Sequence, residues 1–180
     1  MSDQLRLFTG IELPVAIRHS IQNCLGHVPG IRWQSFHQLH LTVNFIGSVE
    51  KSAAESVQAA VRATAFTPFN LTITGAGHFK HRAIWLGVKP EAPLSALHQQ
   101  DRDQLAALGL DMEERRYRPH VTIARIPRMA KSVNRDSIGR CVEELQAFSA
   151  PPFEVNHLSL FASTPSANGS RYEVIARSGG

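Results

Sequence analysis

Two short motifs with the same spacing carry side chains that could do acid–base chemistry. His40 lies two residues before Thr42, and His120 lies two residues before Thr122. Both motifs stand in apolar, alternating runs that are typical of β-strands. Residues two apart in a strand point to the same face of the sheet. Each motif therefore predicts an imidazole beside a hydroxyl, with the intervening residue facing the core.

Two imidazoles and two hydroxyls suit the cleavage of a phosphodiester. The pKa of an unperturbed histidine lies near about 6.5, so one ring can be neutral while the other is protonated. The neutral ring can take a proton from the attacking oxygen, and the protonated ring can give one to the leaving oxygen. The threonine hydroxyls can donate to the non-bridging phosphate oxygens. A strained cyclic phosphate needs no metal ion in this mechanism, and we expect neither a metal nor another cofactor.

The repetition of the motif separates this hypothesis from a purely structural one. The chain has nine histidines, so a single His-x-Thr match carries little information. Two matches by chance have a probability of roughly 6%, before their positions are considered. The structural alternative is a pair of half-buried histidines that only hydrogen-bond the neighbouring threonines. The matched positions of the motifs in an internal repeat favour catalysis.

The elements that must position these motifs follow from the apolar periodicity. Strands are predicted at 6–13, 39–47, 69–77, 83–89, 120–126, 155–163 and 171–178. Helices are predicted near 14–27, 51–66, 93–108 and 134–148, with Ser52 and Asn134 as N-caps. The order strand, helix, His-x-Thr strand, helix, strand then occurs twice.

This duplication predicts the fold class and the domain organisation. We expect one domain over residues 1–180 with an α/β (α+β) fold, in which two antiparallel-type sheets form a central groove and helices lie outside. Lobe one would span about 5–82 and lobe two about 83–180. If the lobes pack with pseudo-twofold symmetry, the two polar strand faces meet across the groove.

Composition limits the class of protein. The chain has 180 residues, a net charge of +4 and a pI near 9.5, which is a mild indication of a phosphorylated or polyanionic partner. Its apolar runs are shorter than a membrane span, and its start lacks the pattern of a signal peptide. Cys24 and Cys141 have no metal or redox spacing. We therefore expect a cytoplasmic protein, and we expect it to be a monomer.

The segments around both motifs resemble a known family. "LHLTVNFIG" and "RPHVTIAR", with "RLFTGIELP" and "AIWLGV", are similar to the two-histidine (2H) phosphoesterases, and in particular to the RNA 2′,3′-cyclic phosphodiesterase (2′-5′ RNA ligase, LigT/ThpR) family. The resemblance implies a bilobal α/β fold and metal-independent hydrolysis of RNA 2′,3′-cyclic phosphate ends to 2′-phosphates. It implies that His40 is the proton donor and His120 the proton acceptor. It also implies a weak reverse joining of tRNA fragments.

Two further residues are candidates for substrate binding. Phe45 and Arg125 each lie five residues after a motif histidine. This odd spacing favours the core side for Phe45, with a base-stacking surface as the alternative. Arg125 cannot lie in a core without a partner, so we expect it at the groove mouth, contacting phosphate or a base. The resembling family also has an arginine at this position.

Basic residues crowd around the second motif. Between residues 115 and 131 no acid occurs, and the cations are Arg115, Arg116, Arg118, Arg125, Arg128 and Lys131. They form either a solvated basic face or a guide for an RNA backbone. Tyr117, Trp33 and Trp85 are interpreted as packing residues.

Three functions remain open. The first is hydrolysis of an RNA end or a nucleoside that carries a 2′,3′-cyclic phosphate. The second is a phosphodiesterase that acts on a 2′-5′ linkage or a small cyclic nucleotide. The third is an RNA- or nucleotide-binding module whose histidines only bind phosphate. Turnover separates the third from the other two.

Overall fold

The computed structural model describes residues 3–128, residue 130 and residues 133–179. The strands are β1 Gln4–Glu12, β2 Arg32–Trp33, β3 His40–Glu50, β4 Phe69–Phe79, β5 Ala83–Lys89, β6 His120–Arg125, β7 Phe153–Val155, β8 Ser159–Ser166 and β9 Gly169–Arg177. The helices are α1 Val15–Cys24, α2 Lys51–Ala63, α3 Glu91–Ala107 and α4 Arg135–Leu145, and a 3₁₀ turn covers Phe36–Gln38. No helix within these ranges is long and apolar enough to cross a membrane.

The strands form two antiparallel sheets. The first sheet has the order β3-β1-β8-β9, and the second has the order β2-β6-β5-β4-β7. His40 begins β3 at an edge of the first sheet, and His120 begins β6 in the second sheet. The predicted α/β (α+β) fold class with two antiparallel-type sheets is confirmed.

The predicted lobe bounds of 5–82 and 83–180 do not coincide with these sheets. The third strand of each repeat pairs with the first strand of the other repeat, since β4 pairs with β5 and β8 pairs with β1. The physical reason is the short turn at Lys80 and His81, which joins β4 to β5 as a hairpin. That pairing leaves the second edge of β1 free for β8. A division after residue 82 therefore separates strands that are hydrogen-bonded to each other.

The same crossing explains why the strand predicted at 155–163 is two strands. β7 pairs with β4 in the second sheet, whereas β8 pairs with β1 in the first. The chain passes from one sheet to the other through residues 156–158. A single apolar run in the sequence thus serves both sheets.

The two predicted helix caps have different outcomes. Asn134 caps α4, because its side-chain oxygen accepts from the backbone N–H of Ser137 at 2.8 Å. Ser52 does not cap α2, which begins at Lys51 and has Glu50 at its N-cap without a side-chain hydrogen bond. Because β3 continues to Glu50, the helix starts before the serine.

The core lies on the faces of the motif strands that are turned away from the histidines. Leu41 and Val121 are fully buried, and both belong to the larger of two clusters of buried apolar side chains. The smaller cluster includes Leu7 of β1 and Val61 of α2. The prediction that the residue between His and Thr faces the core is confirmed at both motifs. Burial of one face fixes the register of these strands, so the face that carries the histidine and the threonine is turned away from the core in both motifs.

Candidate active site

The two motif histidines are held in the same way. The Nδ1 atom of His40 lies 2.7 Å from the carbonyl oxygen of Gln38, and that of His120 lies 2.6 Å from the carbonyl oxygen of Arg118. A carbonyl only accepts, so Nδ1 donates in each ring. In the neutral form each ring therefore has an unprotonated Nε2 that can act as a base. The Nε2 atom of His40 lies 3.1 Å from the hydroxyl oxygen of Thr42.

A β-bulge interrupts β3 just after its motif. Val43 is the extra residue, because Thr42 and Asn44 pair with consecutive residues of β1. Val43 and Asn44 are consecutive and yet both are buried. The alternation of faces is thereby shifted by one residue. Phe45 consequently lies on the same face as its partner Phe8, which contacts the ring of His40.

β6 carries the same bulge at the same distance from its histidine. Ile123 is the extra residue, since Thr122 and Ala124 pair with consecutive residues of β5. Ile123 and Ala124 are both fully buried, and Arg125 is exposed. The bulge turns Arg125 onto the face that carries His120 and Thr122.

The prediction that Phe45 faces the core is wrong. Its side chain is 44% exposed, and the guanidinium of Arg6 lies 5.0 Å from the centroid of its ring. The odd spacing predicted the wrong face because pairing through residues 43 and 44 is irregular. The same finding leaves Phe45 available as a base-stacking surface, which was the alternative interpretation.

Arg125 lies close to both catalytic candidates. Its positive charge lowers the pKa of His40 and also the pKa of His120. The charge of His120 lowers the pKa of His40 as well. These effects place the three groups within electrostatic range of one another, although they come from different sheets. The strands β3 and β6 that carry the motifs also contact each other. That the two polar strand faces meet across one groove stays a prediction.

Burial is the main influence on the protonation of both histidines. The ring of His40 lies 4.8 Å from the ring centroids of Phe8 and Tyr172, and burial is the largest cause that lowers its pKa to about 4. Burial is also the largest cause that lowers the pKa of His120. Both imidazoles are therefore neutral at pH 7 in the substrate-free protein.

Side chains from the second repeat hold the backbone of the first motif. The hydroxyl of Tyr117 donates to the carbonyl of Thr42 at 2.9 Å, and Nδ1 of His98 lies 2.9 Å from the carbonyl of Val43. The rings of Tyr117 and His98 are stacked, with centroids 4.1 Å apart. The interpretation of Tyr117 as a structural residue is confirmed. Its role is to fix the strand that carries His40.

A buried carboxylate completes this support. Asp101 in α3 is 1% exposed, and its Oδ2 accepts from the hydroxyl of Thr9 at 2.5 Å and from the amide of Asn44 at 2.8 Å. Burial raises the pKa of Asp101, and the two hydrogen bonds oppose this shift. Asp101 and His98 were not among the residues that the sequence predicted at the site. A signal was present, because Asp101 falls on the buried stripe of α3 between Leu97 and Leu105.

Trp33 and Trp85 are both half-buried packing residues, as expected, but they pack on different surfaces. Trp33 packs against the larger core cluster. The indole of Trp85 is only half-buried and lies directly over Gly77, where a Cβ atom would collide with the ring. Trp85 pairs with Thr122 and lines a cavity beside His120. Its place in a strand said nothing about which face of the sheet it occupies.

The basic residues around the second motif are not all free cations. Arg115 forms an ion pair with Glu113. Within the described residues, Arg116 and Arg118 form no ion pair. Lys131 lies outside the described residues. Over the same part of the chain, no three His, Cys, Asp or Glu side chains come together as potential metal ligands.

The chain is similar to known proteins in both sequence and fold. The family model described as the 2′-5′ RNA ligase superfamily matches residues 14–165. The chain is 30% identical to an RNA 2′,3′-cyclic phosphodiesterase of Escherichia coli (strain K12), with 98% of this chain and 97% of that protein aligned. It is 29% identical to a Thermotoga maritima protein of the same name, over 81% of this chain and 78% of the relative. The crystal structure of E. coli LigT complexed with 3′-AMP superposes with a TM-score of 0.77 and 26% identity, covering 97% of each chain.

Proposed function

The chain belongs to the 2′-5′ RNA ligase superfamily, and from that membership we propose that it hydrolyses RNA 2′,3′-cyclic phosphate ends to 2′-phosphates without a metal ion. The observation that carries the proposal is the pair of equivalent His-x-Thr motifs on two sheets. Each ring donates through Nδ1 to the backbone, so Nε2 is the ring atom that exchanges a proton with the substrate. Relatives named RNA 2′,3′-cyclic phosphodiesterase that align over most of this chain support the same reaction.

The motif residues take complementary roles in one displacement. His120 removes a proton from water, whose oxygen attacks the phosphorus of the cyclic phosphate. The bond from phosphorus to the 3′-oxygen breaks, and His40 gives its proton to that oxygen. Thr42 and Thr122 donate to the non-bridging oxygens while negative charge builds up on them. The products are a 3′-hydroxyl and a 2′-phosphate. When the 5′-hydroxyl of a second RNA end attacks in place of water, the same displacement breaks the bond to the 3′-oxygen and joins the two ends through a 2′-5′ linkage.

Because its pKa is low, His40 can act as the proton donor only if substrate binding raises that pKa. A proton donor must be protonated when the substrate is bound, but burial lowers the pKa of His40 to about 4 in the free protein. The bound phosphodiester brings a negative charge into the groove, and a nearby negative charge raises the pKa of an imidazole. We therefore expect substrate binding to load the proton onto His40. Arg125 opposes this, because its charge lowers the pKa of both histidines until phosphate neutralises it.

Arg125 and Phe45 bind the substrate on either side of the reacting phosphate. The charge of Arg125 acts on the pKa of both histidines, so we assign Arg125 to the phosphate. Phe45 offers an exposed aromatic face on the groove side of β3, and we assign it to a nucleobase. The substrate is an RNA end, such as that of a tRNA fragment, or a nucleoside 2′,3′-cyclic phosphate. The protein would work as a cytoplasmic monomer.

The test is to identify the product in the absence of metal. Wild-type protein in EDTA is incubated with a nucleoside 2′,3′-cyclic phosphate and with a short RNA that ends in one. The expected product is exclusively the 2′-phosphate isomer. A 3′-phosphate product, or turnover that appears only when a divalent ion is added, would contradict the proposal. Turnover of a 2′-5′-linked dinucleotide alone would point to the second open function, and binding without turnover of any substrate would point to the third.

A further inference from the structure

A cavity of about 630 Å³ opens beside His120 on the groove side of the second sheet. His120 lines it, and His40 does not. The cavity therefore extends beyond the place where a cyclic phosphate would lie between the two rings. Its volume lies within the range of about 300–1,000 Å³ that is usual for small-molecule sites. The reacting phosphate alone cannot account for a space of this size.

One wall of the cavity is aromatic. The ring of Phe79 meets His120 edge to face at 4.8 Å, and the indole of Trp85 lies 5.5 Å from Phe79. Trp85 can lie flat on the sheet because Gly77 has no side chain beneath it. Nucleobases stack on such surfaces with little regard to sequence, and each stacked base contributes about 1–3 kcal/mol.

The rim of the cavity is positively charged. Lys89, Arg116 and Arg118 line it, together with a single carboxylate, that of Glu91. Among the described residues, none of these three cations forms an ion pair. Neighbouring cations without acidic partners repel one another, and a bound anion removes that repulsion. Phosphodiester groups are the anions that an RNA substrate would bring to this rim.

From the aromatic wall and the cationic rim together, we infer that this cavity binds the second nucleotide of the RNA, the one whose phosphodiester joins it to the terminal nucleoside. The inference rests on the proposed function and makes it more specific. The base of the second nucleotide stacks on Trp85, and its phosphodiester contacts Arg116 and Arg118. The preferred substrate is then an RNA chain, and a nucleoside 2′,3′-cyclic phosphate is a truncated substrate that leaves the cavity empty.

The experiment compares adenosine 2′,3′-cyclic phosphate with the dinucleotide ApA that ends in a 2′,3′-cyclic phosphate. Wild-type kcat/KM should be higher for the dinucleotide by about 10-fold or more, which is the contribution of one stacked base. This advantage should shrink as the salt concentration rises, because the added phosphodiester contact is electrostatic. The mononucleotide should show the smaller salt dependence.

Three variants test whether the higher kcat/KM of the dinucleotide depends on the cavity. Arg116→Ala and Trp85→Leu should each reduce the ratio of the two kcat/KM values by about 5- to 10-fold. Arg140→Ala removes the same charge from an exposed position on α4, away from the cavity, and should leave the ratio unchanged. Thermal unfolding of Trp85→Leu shows whether that variant is folded. If it is not, Arg116→Ala still tests the inference.

The outcomes separate the inference from the proposed function. Equal kcat/KM for both substrates in the wild-type protein would overturn the second-nucleotide site and leave the proposed function intact. An equal loss on both substrates in Arg116→Ala would place the terminal nucleoside in the cavity and would also overturn it. No turnover of either substrate by the wild-type protein would contradict the proposed function, and the inference with it.

Discussion

Val43 in β3 and Ile123 in β6 are the extra residues of two β-bulges, each three residues after a motif histidine. Each bulge reverses the alternation of faces and turns the residue five after the histidine towards the groove. That residue is Phe45 in one strand and Arg125 in the other. The duplicated unit thus repeats an irregularity of the backbone as well as its motif. Bulges of this kind re-aim side chains next to active sites.

Replacing Arg125 with alanine should change the pH dependence of catalysis. The positive charge of Arg125 lowers the pKa of His40 and of His120, so its removal should raise both. The profile of kcat/KM against pH should move to higher pH, and KM should rise at pH 7 because a phosphate ligand is lost. Arg32→Ala is the control. Arg32 lies opposite Arg125 on the neighbouring strand β2, so this variant removes the same charge from an adjacent position. A shift of the same size in Arg32→Ala would contradict the specific role of Arg125.

Replacing Phe45 with alanine should weaken substrate binding more than it slows the chemistry. The loss of one stacking surface should raise KM about 5- to 100-fold, while kcat changes less. Leu108→Ala is a matched control, because that side chain is 43% exposed at the end of α3, compared with 44% for Phe45. Steady-state kinetics with an adenosine substrate measure both constants. An unchanged KM in Phe45→Ala would show that no base stacks there.

Replacing Tyr117 with phenylalanine should lower kcat although Tyr117 is not expected to touch the substrate phosphate. The change removes the hydrogen bond to the carbonyl of Thr42 and should lower the free energy of unfolding by about 1 kcal/mol. Because Thr42 and His40 share that strand, kcat should fall more than KM rises. Denaturant unfolding and steady-state kinetics give the two values.

Tyr172→Phe is the control for this variant. It deletes the hydroxyl of the chain's other tyrosine, which makes no hydrogen bond within the part of the chain that the structure describes. It should leave the free energy of unfolding unchanged. If Tyr117→Phe lost stability but kept its full kcat, the bond would support the fold alone.

The free energy of unfolding should decrease as the pH is lowered from 7 to 5, because of His40. Its pKa is about 4 in the folded protein, compared with 6.5 as the ordinary value. Below about pH 6.5 the unfolded chain binds a proton that the folded protein does not accept until about pH 4, so protons favour unfolding. The free energy of unfolding should decrease by about 2 kcal/mol between pH 7 and pH 5 from this group.

Denaturant unfolding at several pH values measures this contribution. In His40→Gln the decrease between pH 7 and pH 5 should be smaller by about the same 2 kcal/mol. His27 is exposed, so His27→Gln should retain the full wild-type decrease. An identical pH dependence in wild type and His40→Gln would show that His40 is not buried as described.

Strand periodicity predicted much of this architecture. It predicted the strands that carry both motifs and the burial of Leu41 and Val121, because alternation is a local property of regular strands. It did not predict the bulges at Val43 and Ile123, since an extra residue in a strand is defined by its pairing partner. For the same reason, the predicted division at residue 82 does not match the sheets, because β4 of the first repeat lies in the second sheet and β8 of the second repeat lies in the first.

The hydrogen bonds that hold the backbone of the first motif could not be predicted from the sequence either. Asp101 and His98 lie more than fifty positions from the Thr42–Asn44 segment that they hold. No local pattern relates side chains in a helix to carbonyls in a distant strand. Only the polar residue within the apolar stripe of α3 marked the place where such a contact would be found.

The central claim is that His40 and His120 together perform the hydrolysis, and single alanine variants test it most directly. Turnover of adenosine 2′,3′-cyclic phosphate in EDTA is measured for wild type, His40→Ala and His120→Ala, alongside the affinity of each for the expected product 2′-AMP. We predict that kcat falls at least about 100-fold in each variant, while the affinity for 2′-AMP changes little. Wild-type turnover in either variant would contradict the account, because the histidine concerned would then not transfer a proton in the reaction.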